Sequence, residues 1–273
     1  MSTPEPNPRL PLAPSIPDAA PPAPSPIAPV WHTVILIAGV LVISATGASR
    51  IPGAHGQVHR LATYGTTGAM EFVLLAWVLI GLRLRKKPLR LLLGINPVRF
   101  KSLALDLGIA AVFWIGSMMV LGLLAFAWIV IQSAVTHQPL IRADGKPDPS
   151  QQRTLHTLGQ LAPSNGEEIA AWILLCIAVG FIEETVFRGY LQQQFAAWGQ
   201  GRAAIGVLFS AILFGLGHGY EGARSMFLIA VFGALFGILA LFRRSLRPGM
   251  IAHGWHDLLT GLALAFLKSQ HIL

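Results

Sequence analysis

Long runs of apolar residues constrain this chain more than any other feature of its sequence. Several of the seven runs have 17 or more residues, close to the length of a helix that crosses a bilayer. Only 12% of the residues are charged, about half the share in a soluble domain. Because lipid offers no partners to backbone N–H and C=O groups, the runs are predicted to be helical. They fall at about 31–49, 66–82, 102–131, 167–197, 203–218, 225–242 and 250–267.

The predicted fold class is all-α, a polytopic membrane bundle of about seven or eight transmembrane helices. The number varies because run 102–131 is long enough for one span or a hairpin, and charged residues interrupt run 167–197. Basic residues concentrate at 83–101 and 242–249, so both short loops are predicted to be cytoplasmic. With seven spans, the N-terminus then lies inside and the C-terminus outside.

Composition divides the chain into four segments. Residues 1–30 contain 11 prolines and lack the apolar core of a signal peptide, so we predict a disordered or polyproline-like tail. Residues 31–166 are predicted to hold the first transmembrane helices and a long loop from Gln132 to Gly166. Residues 167–267 form a third segment, in which charged and polar residues interrupt the apolar runs, and 268–273 a short C-terminal tail.

The formal net charge of +8 does not indicate a nucleic-acid-binding protein. Seven of the 20 Lys and Arg residues lie within 83–101, between two apolar runs, where basic residues determine topology beside anionic lipid. No interleaving of aromatic and basic residues accompanies them. The expected partner is therefore membrane lipid and not nucleic acid, with the oligomeric state left open. The Ala- and Pro-rich tail and the compact loops favour a multi-pass protein of the bacterial cytoplasmic (inner) membrane.

One apolar run carries charged residues at membrane depth. In GFIEETVFRGYL, residues 180–191, Glu183 and Glu184 are adjacent and Arg188 follows. On a helix, Glu184 and Arg188 are i,i+4 neighbours that can form an ion pair. Glu183 points about 100° away and can face another helix. Ionisable residues inside a membrane are costly and usually functional, so this motif predicts a site.

Two further polar motifs lie on separate apolar runs. In FSAILFGLGH, Phe214 and His218 share a helix face among glycines that let a neighbouring backbone approach closely. In HGWHD, His253 and Asp257 share a face by i,i+4 spacing.

The depth of these motifs can be compared by counting residues. If the fourth helix turns near 198–200, Glu183 and His218 lie at similar depth. His253 follows Pro248 by only five residues and should lie much shallower. Either Pro248 begins a helix that is already inside the bundle, or the predicted span edges are wrong.

A carboxylate and two imidazoles in a dry cavity suit hydrolysis by water. A glutamate beside a histidine can deprotonate water, and a second histidine can donate to the oxyanion of a tetrahedral intermediate. No serine stands in a nucleophile-elbow motif, and the single cysteine, Cys176, has no sign of activation, so an acyl-enzyme is disfavoured. We therefore expect no cofactor. The alternative is zinc bound by Glu183, His218 and His253, although HExxH is absent.

Two other acidic residues lie near the ends of earlier apolar runs. Glu71 and Asp106 have no polar companions of the kind found in the three motifs. We therefore predict that both are structural.

The segments EETVFRG, FGLGH and HGWHD resemble the ordered motifs EExxxR, FxxxH and HxxxN or HxxxD of the CPBP family. This family comprises CAAX proteases and bacteriocin-processing enzymes, and it includes type II CAAX prenyl endopeptidases and bacteriocin-immunity homologues. The resemblance covers about residues 167–267 and implies that this segment is the catalytic core. It implies an intramembrane endopeptidase acting on a membrane-associated, prenylated or small peptide or protein substrate.

The resemblance also implies a role for each motif residue. Asp257 stands where the eukaryotic-type enzymes have Asn, and it can orient His253 but cannot donate as an amide does, so the oxyanion role rests more on His253. A zinc-dependent version of the same protease is one alternative, and a non-catalytic membrane scaffold or bacteriocin-immunity protein is another. By position, Glu183 and His218 would activate water, His253 and Asp257 would support the oxyanion, and Glu184 and Arg188 would shape the site.

Overall fold

Helices make up the regular structure wherever the chain is described. The computed structural model describes residues 25–50, 59–94, 99–137 and 149–270, and no strand occurs within these ranges. The predicted all-α membrane bundle is therefore confirmed. The elements are α1 (Val30–Arg50), α2 (Arg60–Leu84), α3 (Leu89–Leu93), α4 (Phe100–Thr136), α5 (Pro149–Leu161), α6 (Gly166–Glu183), a π-helical segment (Glu184–Leu191), α7 (Gln192–Trp198), α8 (Ala203–Gly217), a 3-10 turn (Gly219–Glu221), α9 (Ala223–Arg243) and α10 (Arg247–Ser269).

Four helical units in the described ranges are long and apolar enough to cross a membrane. These are α2, α4, the continuous unit from α6 to α7, and α9. Two shorter apolar helices, Val30–Thr46 and α8, accompany them. With α10, which has 23 residues and carries His253 and Asp257, they account for all seven apolar runs of the sequence.

Several segment boundaries differ from those predicted. Run 102–131 forms one helix of 37 residues rather than a hairpin. Part of the predicted loop is helical, since α5 lies within it, and α10 continues into the predicted C-terminal tail as far as Ser269. The predictions for the tail at 1–24, for the middle of the loop at 138–148, and for 271–273 lie outside the described residues.

The end of the predicted N-terminal tail is packed against the bundle. Ile27 and Ala28 are buried, and both backbone N–H groups donate to Oε1 of Gln194, at 2.6 and 3.1 Å. The Gln194 side chain donates in return to the carbonyl of Ala28 at 2.9 Å. These hydrogen bonds from one buried side-chain amide fix the backbone just before α1 beside α7.

The two basic loops lie on the same side of the bundle. The N–H of Leu246 donates to the carbonyl of Leu93 at 3.0 Å, which joins the loop before α10 to the loop before α4. The Asp106 carboxylate of α4 accepts from Arg243 at 2.9 Å and lies 3.0 Å from Arg247. These contacts agree with the prediction that both loops face one compartment, and they give Asp106 the structural role predicted for it.

Close packing between α6 and α10 sets the depth of the site. Asn165 is the N-cap of α6, and its side chain accepts from the N–H of Glu168 at 2.9 Å. Further along, a Cβ on Gly180 would stand 2.9 Å from the backbone N of Gly254 and 2.9 Å from the carbonyl O of Met250. Because the backbones nearly touch there, the side chains that flank these glycines are brought together.

Candidate active site

A buried ion pair begins the site within the π-helical segment. Nη1 of Arg188 lies 2.9 Å from Oε1 of Glu184, and each side chain is 1% exposed. The Nη1 atom makes no well-aligned hydrogen bond, so the contact is electrostatic in the main. Arg188 also donates from Nη2 to the carbonyl of Gly233 at 3.3 Å and stacks 4.2 Å from the ring centroid of Phe214. π-helical segments are rare and often occur at functional sites.

The imidazole of His253 joins α10 to this pair. Its Nδ1 lies 3.1 Å from Oε1 of Glu184, and its Nε2 lies 3.5 Å from Oε2 of Glu183 and 3.7 Å from Oδ2 of Asp257. The Nδ1 contact is a hydrogen bond, whereas the Nε2 distances are at or beyond the limit for one. Glu184 therefore orients His253, a role that the sequence assigned to Asp257.

Glu183 and Glu184 are adjacent in sequence but lie in different surroundings. The Glu184 carboxylate is held by Arg188 and His253, and its side chain is 1% exposed. Oε2 of Glu183 is buried and has no hydrogen bond, although the side chain as a whole is 14% exposed. A carboxylate with a free oxygen and some access to solvent can still take up a proton from water.

His218 approaches the same region from the end of α8. Its Nδ1 lies 2.9 Å from the carbonyl O of Phe214, a contact in which only the imidazole can donate. Nε2 is therefore the unprotonated nitrogen of the neutral ring. The ring of Phe214 lies 5.0 Å from that of His218 and 5.9 Å from that of His253, so one aromatic side chain contacts both imidazoles.

The unexpected depth of His253 has a structural cause. Pro248 and Gly249 are buried at the start of α10, so this helix begins inside the bundle rather than at its surface. A Cβ on Gly249 would stand 3.1 Å from Oε2 of Glu184, which shows how closely the helix start approaches the carboxylate. The first of the two explanations offered by the sequence is therefore correct.

The structure adds Glu71 to the surroundings of the site. Glu71 lies close enough to Glu183, His253 and Asp257 to interact with them electrostatically. Oε2 of Glu71 is buried and accepts no hydrogen bond. The sequence predicted only a structural role for Glu71 and did not place it near the site, because the sequence does not show that α2 packs on α6.

Glu221 in the 3-10 turn lies at the edge of the site. Its partial burial raises the pKa of its carboxyl, while His218 and a hydrogen bond from Tyr220 lower it and Glu183 raises it further. Glu221 also borders a cavity of about 830 Å³ between α4, α5 and α9. Apolar side chains form much of the cavity wall, among them Leu124, Trp128, Ile131, Phe227 and Leu228.

Metal ligation was the alternative chemistry proposed from the sequence. Within the part of the chain that the structure describes, no group of three or more His, Cys, Asp or Glu residues is arranged to hold a metal ion. Glu183, His218 and His253 are thus not assembled as a ligand set in the described part of the chain.

Carboxylates and imidazoles from three helices meet inside this membrane bundle. These are the side chains that a membrane protease needs to activate water. Residues 165–259 match the family model described as type II CAAX prenyl endopeptidase Rce1-like. All six predicted site residues lie within this segment, and the resemblance to the CPBP family is confirmed for it. At the family level, the match supports a CAAX-type intramembrane protease domain for this segment. No curated protein and no solved structure matches the chain.

Proposed function

We propose that this protein is an intramembrane endopeptidase that hydrolyses a peptide bond with a water molecule activated by Glu183. The observation that carries the proposal is the difference between two adjacent glutamates. Glu184 is neutralised by Arg188 at 2.9 Å, whereas Oε2 of Glu183 has no hydrogen-bond partner. A scaffold would have no need for a free carboxylate beside an oriented imidazole in apolar surroundings.

Glu183 and His218 begin the reaction as bases. Glu183 removes a proton from water, and the Nε2 lone pair of His218 accepts a hydrogen bond from the same water. The water oxygen then forms a bond to the carbonyl carbon of the scissile peptide. The carbonyl π electrons move onto its oxygen and produce the tetrahedral oxyanion.

His253 stabilises that oxyanion and Glu183 completes the reaction. With Nδ1 hydrogen-bonded to Glu184, a protonated His253 presents Nε2–H towards Glu183 and Asp257, where the oxyanion would form. When the C–N bond breaks, the proton held by Glu183 passes to the departing amide nitrogen. The products are a carboxylic acid and an amine, and the water supplies all the added atoms.

The surroundings of the site favour a substrate that is itself apolar. The cavity beside Glu221 has about 830 Å³ and mainly apolar walls, a volume within the range of ligand pockets. We therefore propose a membrane-associated peptide or protein, prenylated or not, as the substrate and bilayer lipid as the other partner. The proposed location is the bacterial cytoplasmic membrane, with 167–267 as the catalytic core.

The proposal is tested by comparing peptide N-termini in membranes that contain the wild type, Glu183→Ala or the control Glu167→Ala. Glu167 is exposed in the first turn of α6 and lies apart from the site. We expect new N-termini with the wild type and the control that disappear with Glu183→Ala. Identical N-termini in all three membranes would contradict the protease function and favour a scaffold or immunity protein.

Metal content separates the zinc alternative from metal-free chemistry. Purified wild type and His218→Ala are analysed for zinc and assayed with a chelator. We expect no stoichiometric zinc and no inhibition by the chelator. One zinc per chain that is lost with activity in His218→Ala would overturn the metal-free mechanism while keeping the hydrolase.

A further inference from the structure

α1 packs closely on the end of α8. Val40 and Ser44 lie one helical turn apart on α1, and both are buried. A Cβ on Gly217 would stand 3.4 Å from Cγ1 of Val40. A Cβ on Gly219 would stand only 2.9 Å from Oγ of Ser44. Because neither glycine has a side chain, α1 can approach the backbone on both sides of His218.

The hydroxyl of Ser44 bonds to that backbone on each side of His218. Its Oγ donates to the carbonyl of Leu216 at 2.7 Å and accepts from the N–H of Gly219 at 3.0 Å. A hydroxyl can donate and accept at the same time. The last carbonyl groups of a helix need partners from outside it, and leaving a backbone group without one is costly in apolar surroundings. One side chain therefore satisfies two backbone groups at the end of α8.

His218 is also held by bonds within its own segment. Its N–H donates to the carbonyl of Gly215 at 3.0 Å, and its Nδ1 lies 2.9 Å from the carbonyl O of Phe214. These bonds set the direction of the imidazole relative to α8, so the ring moves with the end of that helix. The Ser44 hydroxyl comes from α1 and therefore fixes the end of α8 relative to another helix.

The position of the Ser44 bonds is specific. Hydroxyl side chains within a helix can donate to a carbonyl of the preceding turn, as Thr46 does to Val42 at 2.9 Å. Ser44 bonds instead to a different helix. A contact that only joined α1 to α8 could lie at any level of α8, whereas this hydroxyl bonds at the residues that flank His218.

We propose that Ser44 is a positioning residue of the active site, which holds the end of α8 so that Nε2 of His218 meets the catalytic water. The proposal rests on the function proposed above. Ser44 lies outside the segment 165–259 that matches the protease family. Without its hydroxyl, the end of α8 loses two hydrogen bonds and the imidazole shifts. An error of about 1 Å in the position of a catalytic group can lower a rate by about 10²-fold.

Three variants test this in proteoliposomes with a peptide identified from the comparison of N-termini. Ser44→Ala removes the hydroxyl, and Ser44→Thr retains one. Ser269→Ala is the matched control, because its Oγ donates to the carbonyl of Phe266 at 2.7 Å near the end of α10. We expect Ser44→Ala to lower kcat about tenfold with KM within about twofold, and Ser44→Thr to recover kcat to within about threefold. Ser269→Ala should match the wild type.

Two results would overturn the proposal. A purely structural contact would lower the thermal midpoint of Ser44→Ala but leave kcat of the folded protein at the wild-type value. An equal loss of kcat in Ser44→Ala and Ser44→Thr would show that the hydroxyl is not the cause.

A second measurement does not depend on catalysis. Hydrogen exchange of the full-length protein in detergent is followed by mass spectrometry on fragments that contain Gly219. We expect the Gly219 amide to exchange faster in Ser44→Ala than in the wild type, and at the wild-type rate in Ser44→Thr and Ser269→Ala. Equal exchange in all four proteins would contradict the proposal even if the protease is active. Faster exchange only in Ser44→Ala, with no peptide cleavage by the wild type, would support the bond to Gly219 and refute the protease function instead.

Discussion

Nδ1 of His253 lies 3.1 Å from Oε1 of Glu184, and the same oxygen lies 2.9 Å from Nη1 of Arg188. One carboxylate oxygen therefore joins the π-helical segment to α10 and compensates a buried guanidinium. The arrangement leaves the other ring nitrogen of His253 directed at Glu183 and Asp257. Glu184 thus fixes the position of the His253 imidazole.

Replacing Glu184 by Gln should destabilise the protein strongly. The change leaves Arg188 buried without a compensating charge, which costs about 3–5 kcal/mol in comparable buried pairs. We expect a large fall in the thermal midpoint in detergent and a loss of activity. The double variant Glu184→Gln/Arg188→Met should recover part of the stability but not the activity, because His253 then lacks the carboxylate charge that stabilises its protonated form. A single variant as stable as the wild type would contradict the importance of this pair.

Gly180→Ala should separate α6 from α10. The added Cβ would stand 2.9 Å from two backbone atoms, of Gly254 and Met250, which cannot move aside as a side chain can. We expect a loss of about 1–3 kcal/mol in stability and a fall in kcat as His253 moves away from Glu183. Gly108→Ala on α4 is the control, because its Cβ would meet nothing within 4 Å. Equal thermal midpoints for the two variants would refute the close helix contact.

Asp106→Asn should weaken the contact among α4, α9 and α10 without disrupting the active site. Asp106 is 5% exposed, but its partners Arg243 and Arg247 are 32% and 13% exposed, so solvent screens the pairs in part. We expect a loss of about 1–2 kcal/mol by denaturant or thermal unfolding, with KM nearly unchanged. Lys101→Gln, exposed one turn earlier, serves as the control. A fall in activity without a fall in stability would indicate a role that this geometry does not explain.

Glu221 should make stability depend on pH. Burial raises the pKa of its carboxyl above the ordinary value of 4.5, so folding opposes its ionisation. Below pH 4.5 the Glu221 carboxyl is protonated in both the folded and the unfolded protein and does not lower the free energy of unfolding. The free energy of unfolding then falls as the pH rises through the pKa that Glu221 has in the folded protein. Glu221→Gln should therefore match the wild-type thermal midpoint at about pH 4 and exceed it increasingly towards about pH 8. A constant difference across this range would show that Glu221 does not titrate in it.

Much of the fold follows from local patterns in the sequence. Apolar runs predict the helices because the backbone must be satisfied within each segment in lipid. The i,i+4 spacing of Glu184 and Arg188 predicts their ion pair, which forms at 2.9 Å. Such features require only the geometry of one helix.

Other features depend on how separate helices pack, which one sequence does not show. The depth of His253 depends on buried Pro248 and Gly249 at the start of α10. Glu71 joins the site because Tyr64 and Gly68 place α2 against α6. Their i, i+4 and i+7 spacing is visible in the sequence, but it does not identify the partner helix.

The central claim is that the Glu183 carboxylate activates the water. It is tested most directly by the single-turnover rate of the purified protein in proteoliposomes on a peptide identified from the comparison of N-termini. Glu183→Gln should retain the wild-type thermal midpoint and substrate affinity but lower the rate by about 10²–10⁴-fold, whereas Glu167→Gln should leave it unchanged. A Glu183→Gln rate equal to that of the wild type would contradict the account.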